Sequence, residues 1–334
     1  MRVVDNLAVD VWRDFVINHP YGNIFHTPIM YELFARTEGY QPSIRAVVDS
    51  DQRVIALMLP VQIALSKMLS SFTTRAVVFG SVLFDSKLNG EHALELLMKT
   101  YAKEGGRNLL FTELRNIYNL ESAQPIFANI GFIYDDHLNY LIDLNRPIES
   151  VFNSIGKRTR KNIRHGLNRG VVQIEEARKP EDIRACIQLF QHTYQNAGVP
   201  LAHHSLFENA YNLLHPDGMV RFTLATVNDE PAAASMELLY KDVVYGWYGG
   251  LDRNYSSYVP NELLVWHILK WGSENGFRQY DFGGAGKPDE EYGVRDFKAK
   301  FGGELVSFGR NTLVHSQIRF KISKLGFEIY RRLR

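Results

Sequence analysis

The chain has 334 residues, of which 45% are hydrophobic and 22% charged, and a formal net charge of +1. That composition excludes a disordered or fibrous polypeptide, and one cysteine, Cys186, excludes an intrachain disulfide framework. The length allows about two domains, each with its own core.

In chain order, the first signal is a hairpin. Ser43–Val48 and Val54–Ile63 are apolar, β-branched runs flanking the polar turn Asp49-Ser50-Asp51. The longest apolar stretch, Val54–Leu65, has 12 residues, short of the roughly 20 that cross a bilayer. No basic-then-apolar leader opens the chain. The expectation is a cytosolic protein, or at most one peripheral to a membrane. An amphipathic helix follows over Glu91–Glu104, with Leu94, Leu97, Met98 and Tyr101 on one face and Gly106 at its end, then a strand over Leu109–Leu114.

A domain boundary is expected near Asn145-Arg146-Pro147, followed by helices near Ile148–Asn168 and Pro180–Ala197. A second hairpin then runs from Arg221–Val227 through Asn228-Asp229-Glu230-Pro231 into Ala232–Tyr240, with a further strand over Val243–Tyr248. The helix Asn261–Glu274 places Leu264, His267, Ile268 and Trp271 at the four positions of the first helix, 170 residues later; Gly276 keeps that offset, and Gln279–Phe282 is the next strand. One strand–helix–strand unit therefore occurs twice, which predicts two tandem mixed α/β domains over 1–145 and 146–316. Residues 317–334 read as a basic amphipathic helix that completes the first domain.

Charge is uneven. Residues 1–145 carry 12 basic and 16 acidic groups (−4), and residues 146–334 carry 26 and 21 (+5). Lys157, Arg158, Arg160, Lys161, Arg164 and Arg169 form one acid-free patch. Arg319, Lys321, Lys324, Arg331, Arg332 and Arg334 lie in the tail, beside Ile318, Ile322, Leu325, Ile329 and Leu333 at helical spacing. Arg160, Lys161 and Arg164 are spaced to meet the phosphates of a sugar-nucleotide or lipid carrier, and the tail to dock on its own protein or on a membrane surface. Both stretches also fit plain solvated helix faces.

The segment Tyr280-Asp281-Phe282-Gly283-Gly284 is followed by Gly293-Val294-Arg295-Asp296-Phe297-Lys298-Ala299-Lys300-Phe301-Gly302. Upstream lie Tyr245-Gly246-Trp247-Tyr248-Gly249-Gly250 and Tyr258-Val259-Pro260-Asn261. Together these resemble the FemAB family of non-ribosomal aminoacyl transferases, with its aromatic-D-F-G-G segment and F-K-x-x-F-G element. In the first half the resemblance is limited to Phe25-His26-Thr27-Pro28 and the hairpin. It implies two GNAT-like domains and transfer of an amino acid from aminoacyl-tRNA to an amine, typically in a peptidoglycan precursor. No bound cofactor is implied, and the partners are the tRNA acceptor end and a phosphate-bearing envelope precursor.

Acyl transfer to an amine passes through a tetrahedral oxyanion, and one fixed donor beside it contributes roughly 2.7–4 kcal/mol. Lys298 matches the motif lysine, to which the resemblance assigns that electrostatic role. Asp281, at a strand end, is a candidate to orient the amine or to cap the next turn. Phe297, Arg295, Tyr248, Tyr258 and Asn261 are substrate-binding candidates beside the basic trio, although Phe297 and Phe301 also fit core anchors. Glu113 is a weaker acid–base candidate from the corresponding strand of the first copy. The loop Asn254–Asn261 lacks the glycines with which CoA-dependent GNAT enzymes cradle a pyrophosphate, and Pro260 removes a donor. Gln195 and Asn196 stand where many family members carry a basic residue for the muropeptide phosphates. Two alternatives therefore accompany the tRNA-dependent transferase: a thioester- or CoA-dependent N-acyltransferase acting on an amino sugar, and a non-catalytic binding protein of the same fold. His203, His204 and His215 have no carboxylate or cysteine at ligand spacing, and no metal site is expected.

Overall fold

The computed structural model describes residues 1–64, 74–85, 87, 89–104 and 109–323. It divides into two units, Met1–Asp136 with Phe308–Arg334, and His137–Ser307.

The first unit opens with β1 (Arg2–Val4), α1 (Val9–Asn18) and α2 (Pro28–Ala35). Phe25-His26-Thr27-Pro28 builds the start of α2: the Thr27 side chain accepts from the Met30 amide and Pro28 takes the first helical position. The hairpin forms from β3 (Arg45–Val48) and β4 (Val54–Ala64), with the short β2 (Tyr40–Pro42) also on β4. Then come β5 (Thr74–Phe84), α3 (Gly90–Glu104), β6 (Phe111–Arg115), α4 (Gln124–Ile130) and β7 (Ile133–Asp135). Leu94, Leu97, Met98 and Tyr101 of α3 are all buried, as their spacing requires.

The second unit comprises β8 (Leu138–Asp143), α5 (Ile148–Ser154), α6 (Lys157–Arg169), β9 (Val172–Glu176), α7 (Pro180–Asn196) and α8 (His204–Leu214). It continues through β10 (Val220–Val227), β11 (Glu230–Tyr240), β12 (Val243–Leu251), α9 (Pro260–Glu274), β13 (Gln279–Gly284), α10 (Gly293–Ala299) and β14 (Glu304–Ser307). The chain then returns to the first unit as β15 (Arg310–Val314).

The duplication is visible in strand order. The sheets run β1-β3-β4-β5-β6-β15-β7 and β9-β10-β11-β12-β13-β8-β14. In each, three antiparallel strands lead to a parallel pair, β5–β6 or β12–β13, spanned by the long helix α3 or α9. In the first sheet the sixth strand, β15, is taken from beyond the second unit in the sequence; in the second sheet it is β8, the strand that opens that unit. β8 pairs with β13 and β14, so the crossing at Asp136–His137 comes ahead of the Asn145-Arg146-Pro147 segment.

The single helix expected near Ile148–Asn168 is two. Ile155 turns extended into the core at 1% exposure, and the Gly156 amide donates to the Lys300 carbonyl at 2.8 Å, which separates α5 from α6. Residues 317–323 are helical, with Ile318 and Ile322 75% and 54% exposed. The rest of the expected tail helix, and Gly106, lie outside the described residues. Among the described residues no helix is long and apolar enough to cross a membrane.

Candidate active site at the end of β13

β12 and β13 run in parallel register only over Val243–Tyr245 and Gln279–Asp281, and the last residues of β13 extend beyond that pairing. Against this end packs the short helix α10, held by aromatic anchors. Phe301 is fully buried, with ring centroids 5.8 Å from Phe282 and 5.2 Å from Phe297. Gly302 follows at φ +75°, where a Cβ would lie 2.5 Å from the Ser154 carbonyl oxygen, so glycine is required in F-K-x-x-F-G.

This docking delivers Lys298 to the strand end. Its Nζ donates to the carbonyl oxygens of Phe282 (2.6 Å), Gly284 (2.8 Å) and Gly283 (3.3 Å). An ammonium has three protons, and here each meets a main-chain acceptor. Gly283, at φ +67°, turns the chain so that three successive carbonyls face one point. The D-F-G-G and F-K-x-x-F-G elements are thus two halves of one contact.

Asp281 lies beneath, 4% exposed. Its Oδ1 accepts from the Gly283 amide (2.7 Å) and from Asn139 Nδ2 (3.1 Å). Burial pushes the carboxyl up to about 6, against the Gly283 amide and the Lys298 ammonium, which lower it. Burial likewise pushes Lys298 down to about 8, against the opposing influence of Asp281. At neutral pH both are mostly charged, each within roughly a pH unit of titrating. Asn139 was not legible as a site residue: it sits on β8, 142 positions before its partner, and its only signal was a polar side chain inside an apolar strand.

The other candidates have varied settings. Arg295 donates to the Lys287 carbonyl (2.5 Å) and to the Glu290 carbonyl, fastening the loop between β13 and α10. Tyr248 packs in an aromatic group with Phe207 (4.8 Å), Tyr194 (5.8 Å) and Phe190 (6.2 Å). Tyr258 lies under the Arg169 guanidinium at 4.7 Å, and Asn261 is half-buried in the first turn of α9. The loop before α9 holds a 3₁₀ turn, Arg253–Tyr258, and in it or just after it three amides are already engaged: Asn254 with the Asp252 side chain, Tyr255 with the Asp252 carbonyl and Val259 with the Ser256 carbonyl.

On α6, Arg160 donates to the Asn153 carbonyl (2.7 Å) and Oδ1 (3.3 Å), and Arg164 lies 5.1 Å over the Phe152 ring. Both lean on α5, whereas Lys161 is exposed. In the first unit, Glu113 is gripped by Arg115 (2.6 Å) and Arg310 (3.3 Å). Burial would raise its carboxyl, but the guanidiniums of Arg115 and Arg310 overcome this and hold it at about 2, leaving no proton to exchange near neutrality. His203 accepts from the Ser205 amide at the start of α8, and His215 contacts Glu176 at 3.3 Å.

Comparison with known proteins bears on the fold that carries this geometry. Residues 154–298 match the acetyltransferase (GNAT) domain family. The chain is 21% identical to a lipid II:glycine glycyltransferase of Staphylococcus saprophyticus, over 89% of each chain. Its fold is similar to the crystal structure of FemX, with a TM-score of 0.73 at 17% identity over 96% of this chain and 99% of that one. It is also similar to a tandem GNAT protein from the clavulanic acid biosynthesis pathway, with a TM-score of 0.59 at 9% identity over 94% and 98%.

Proposed function

Since the chain belongs to the FemAB family of tandem GNAT-like acyltransferases, we propose that it transfers an aminoacyl group to an amine of a peptidoglycan precursor, with aminoacyl-tRNA as the donor. The glycyltransferase relatives support the reaction class and the envelope precursor. The donor is the finer part of the reading. It is favoured by the loop before α9, where Pro260 and internally bonded amides replace the open cradle that a CoA pyrophosphate needs.

The observation that carries the reading is the Lys298 ammonium seated on the carbonyls of Phe282, Gly283 and Gly284. In the proposed reaction the acceptor amine attacks the ester carbonyl and a C–N bond forms. The resulting tetrahedral oxyanion collapses by breaking the C–O bond to the ribose, and the proton released from nitrogen passes to the leaving hydroxyl. Because its protons are held by the main chain, Lys298 acts through its fixed positive charge on the oxyanion. Asp281 sits one residue before those carbonyls and holds the Gly283 turn in place. Phe297, half-buried beside Lys298, is the surface proposed to meet the acceptor end of the tRNA. Peripheral contact with the inner face of a membrane is proposed through the basic segment from Gln317.

The test is a donor screen: radiolabelled aminoacyl-tRNAs against acyl-CoAs, with envelope precursors as acceptors. Transfer from charged tRNA alone is the expected result. Transfer from acyl-CoA to an amino sugar would replace this reading with the thioester alternative.

A further inference from the structure

Away from the end of β13, the first unit gathers guanidinium groups on one face of its sheet. Arg75 lies on β5, Arg115 on β6 and Arg310 on β15, where Arg115 and Arg310 are direct cross-strand partners. Arg75 is four positions before Phe79, so the two share a face of the strand. Phe79 is the floor of the group: Arg115 lies 5.2 Å over its ring, and it stacks on Phe25 (5.6 Å) and Phe34 (5.4 Å), with Tyr40 stacked on Phe34 (6.0 Å).

Arg115 and Arg310 each occupy one oxygen of Glu113, and Asp135, opposite Arg310 on β7, is exposed at the sheet edge. Arg75 has no ion pair among the described residues, and its Nε is buried with no hydrogen-bond partner. Residues 65–73, which join β4 to β5, contain no acid. A desolvated guanidinium facing a second one, as Arg75 faces Arg115, is costly without an anion bonded to it, and guanidinium forks match oxyanions.

We propose that this face of the first unit is a phosphate-binding site, with Arg75 as its principal donor, Arg115 and Arg310 as its positive rim and the Tyr40 hydroxyl at its edge. A phosphate suits it better than a carboxylate. Glu113 already supplies one carboxylate, whose oxygens are hydrogen-bonded by Arg115 and Arg310 but not by Arg75, whereas a phosphate brings more oxygens and more charge. Taking that phosphate to be the acceptor's rests on the transfer proposed above. The site itself is independent of transfer.

The experiment is a calorimetric titration of the full chain with inorganic pyrophosphate at low salt, with succinate as the carboxylate control. Wild type binds pyrophosphate in preference to succinate, Arg75→Gln weakens binding at least about tenfold, and Arg75→Lys falls between them. Glu113→Gln, which removes the competing carboxylate, binds several-fold tighter. Pyrophosphate also raises the melting temperature of wild type more than that of Arg75→Gln, which confirms a folded comparison. Equal affinity in wild type and Arg75→Gln, no pyrophosphate binding by wild type, or succinate binding as tightly as pyrophosphate would each overturn the assignment.

Discussion

The strand after the long helix carries a carboxylate in both units, buried in the second and half-buried in the first, and the two are tuned in opposite directions. On β13, Asp281 has neutral hydrogen-bond donors and one nearby ammonium, and burial carries its carboxyl up to about 6. On β6, Glu113 has two guanidiniums on its oxygens and is held at about 2. The strand is the corresponding one in each sheet, and the difference lies in side chains brought by neighbouring strands: Asn139 from β8 in one case, Arg310 from β15 in the other. A duplicated fold has thus placed a group that titrates near neutrality in the second unit and a permanent ion cluster in the first.

The contrast breaks most sharply at Lys298. Lys298→Ala is expected to lower turnover by about 10²–10³, the loss that follows removal of one oxyanion-stabilising group. It also strands three carbonyls, so a fall in melting temperature accompanies it. Lys298→Gln separates charge from tether, since its amide can still donate to the carbonyls. Turnover near wild type in Lys298→Gln would show that the charge does not act on the reaction.

Next in size is the pH profile. Activity should rise as Asp281 ionises near 6 and fall as Lys298 loses its proton near 8, changing about tenfold per pH unit outside that window. The upper limb is absent in Lys298→Gln. A rate flat from pH 5 to 9 would detach both groups from the chemistry.

For Glu113 the readout is stability. Its folded carboxyl lies below the ordinary 4.5, so its contribution is fully present above that value and is lost as pH falls toward 2. Urea melts of wild type and Glu113→Gln should differ by about 3 kcal/mol at pH 7 and draw together below pH 4.5. A constant gap across that range would mean packing, rather than charge, is what the glutamate contributes.

The smallest effect is expected from changing Arg160, Lys161 and Arg164 together to Gln. Arg160 and Arg164 are occupied against α5, so binding of the precursor should weaken only about threefold, with a shallower salt dependence. Titrations at two salt concentrations that match wild type would leave the patch as a solvated face.

Local periodicity made much of this legible in the sequence. The hairpins, the buried face of α3 and the helix–strand succession at a constant offset all rest on residues close together in the chain. What escaped depends on distant partners. The break between α5 and α6 is set by the Lys300 carbonyl, and the grip on Glu113 needs Arg310, 197 positions away. F-K-x-x-F-G pointed to Lys298, but nothing in its spacing revealed that the three protons meet carbonyls of D-F-G-G.

The return of β15 to the first sheet has a consequence for synthesis. Until β15 has left the ribosome, β6 and β7 have no strand to join them, and the first sheet stays open along one side. The N-terminal unit is therefore the last to close, although its residues are made first. A chain that stops just short of Arg310 would leave two bare edges as ready seams for aggregation.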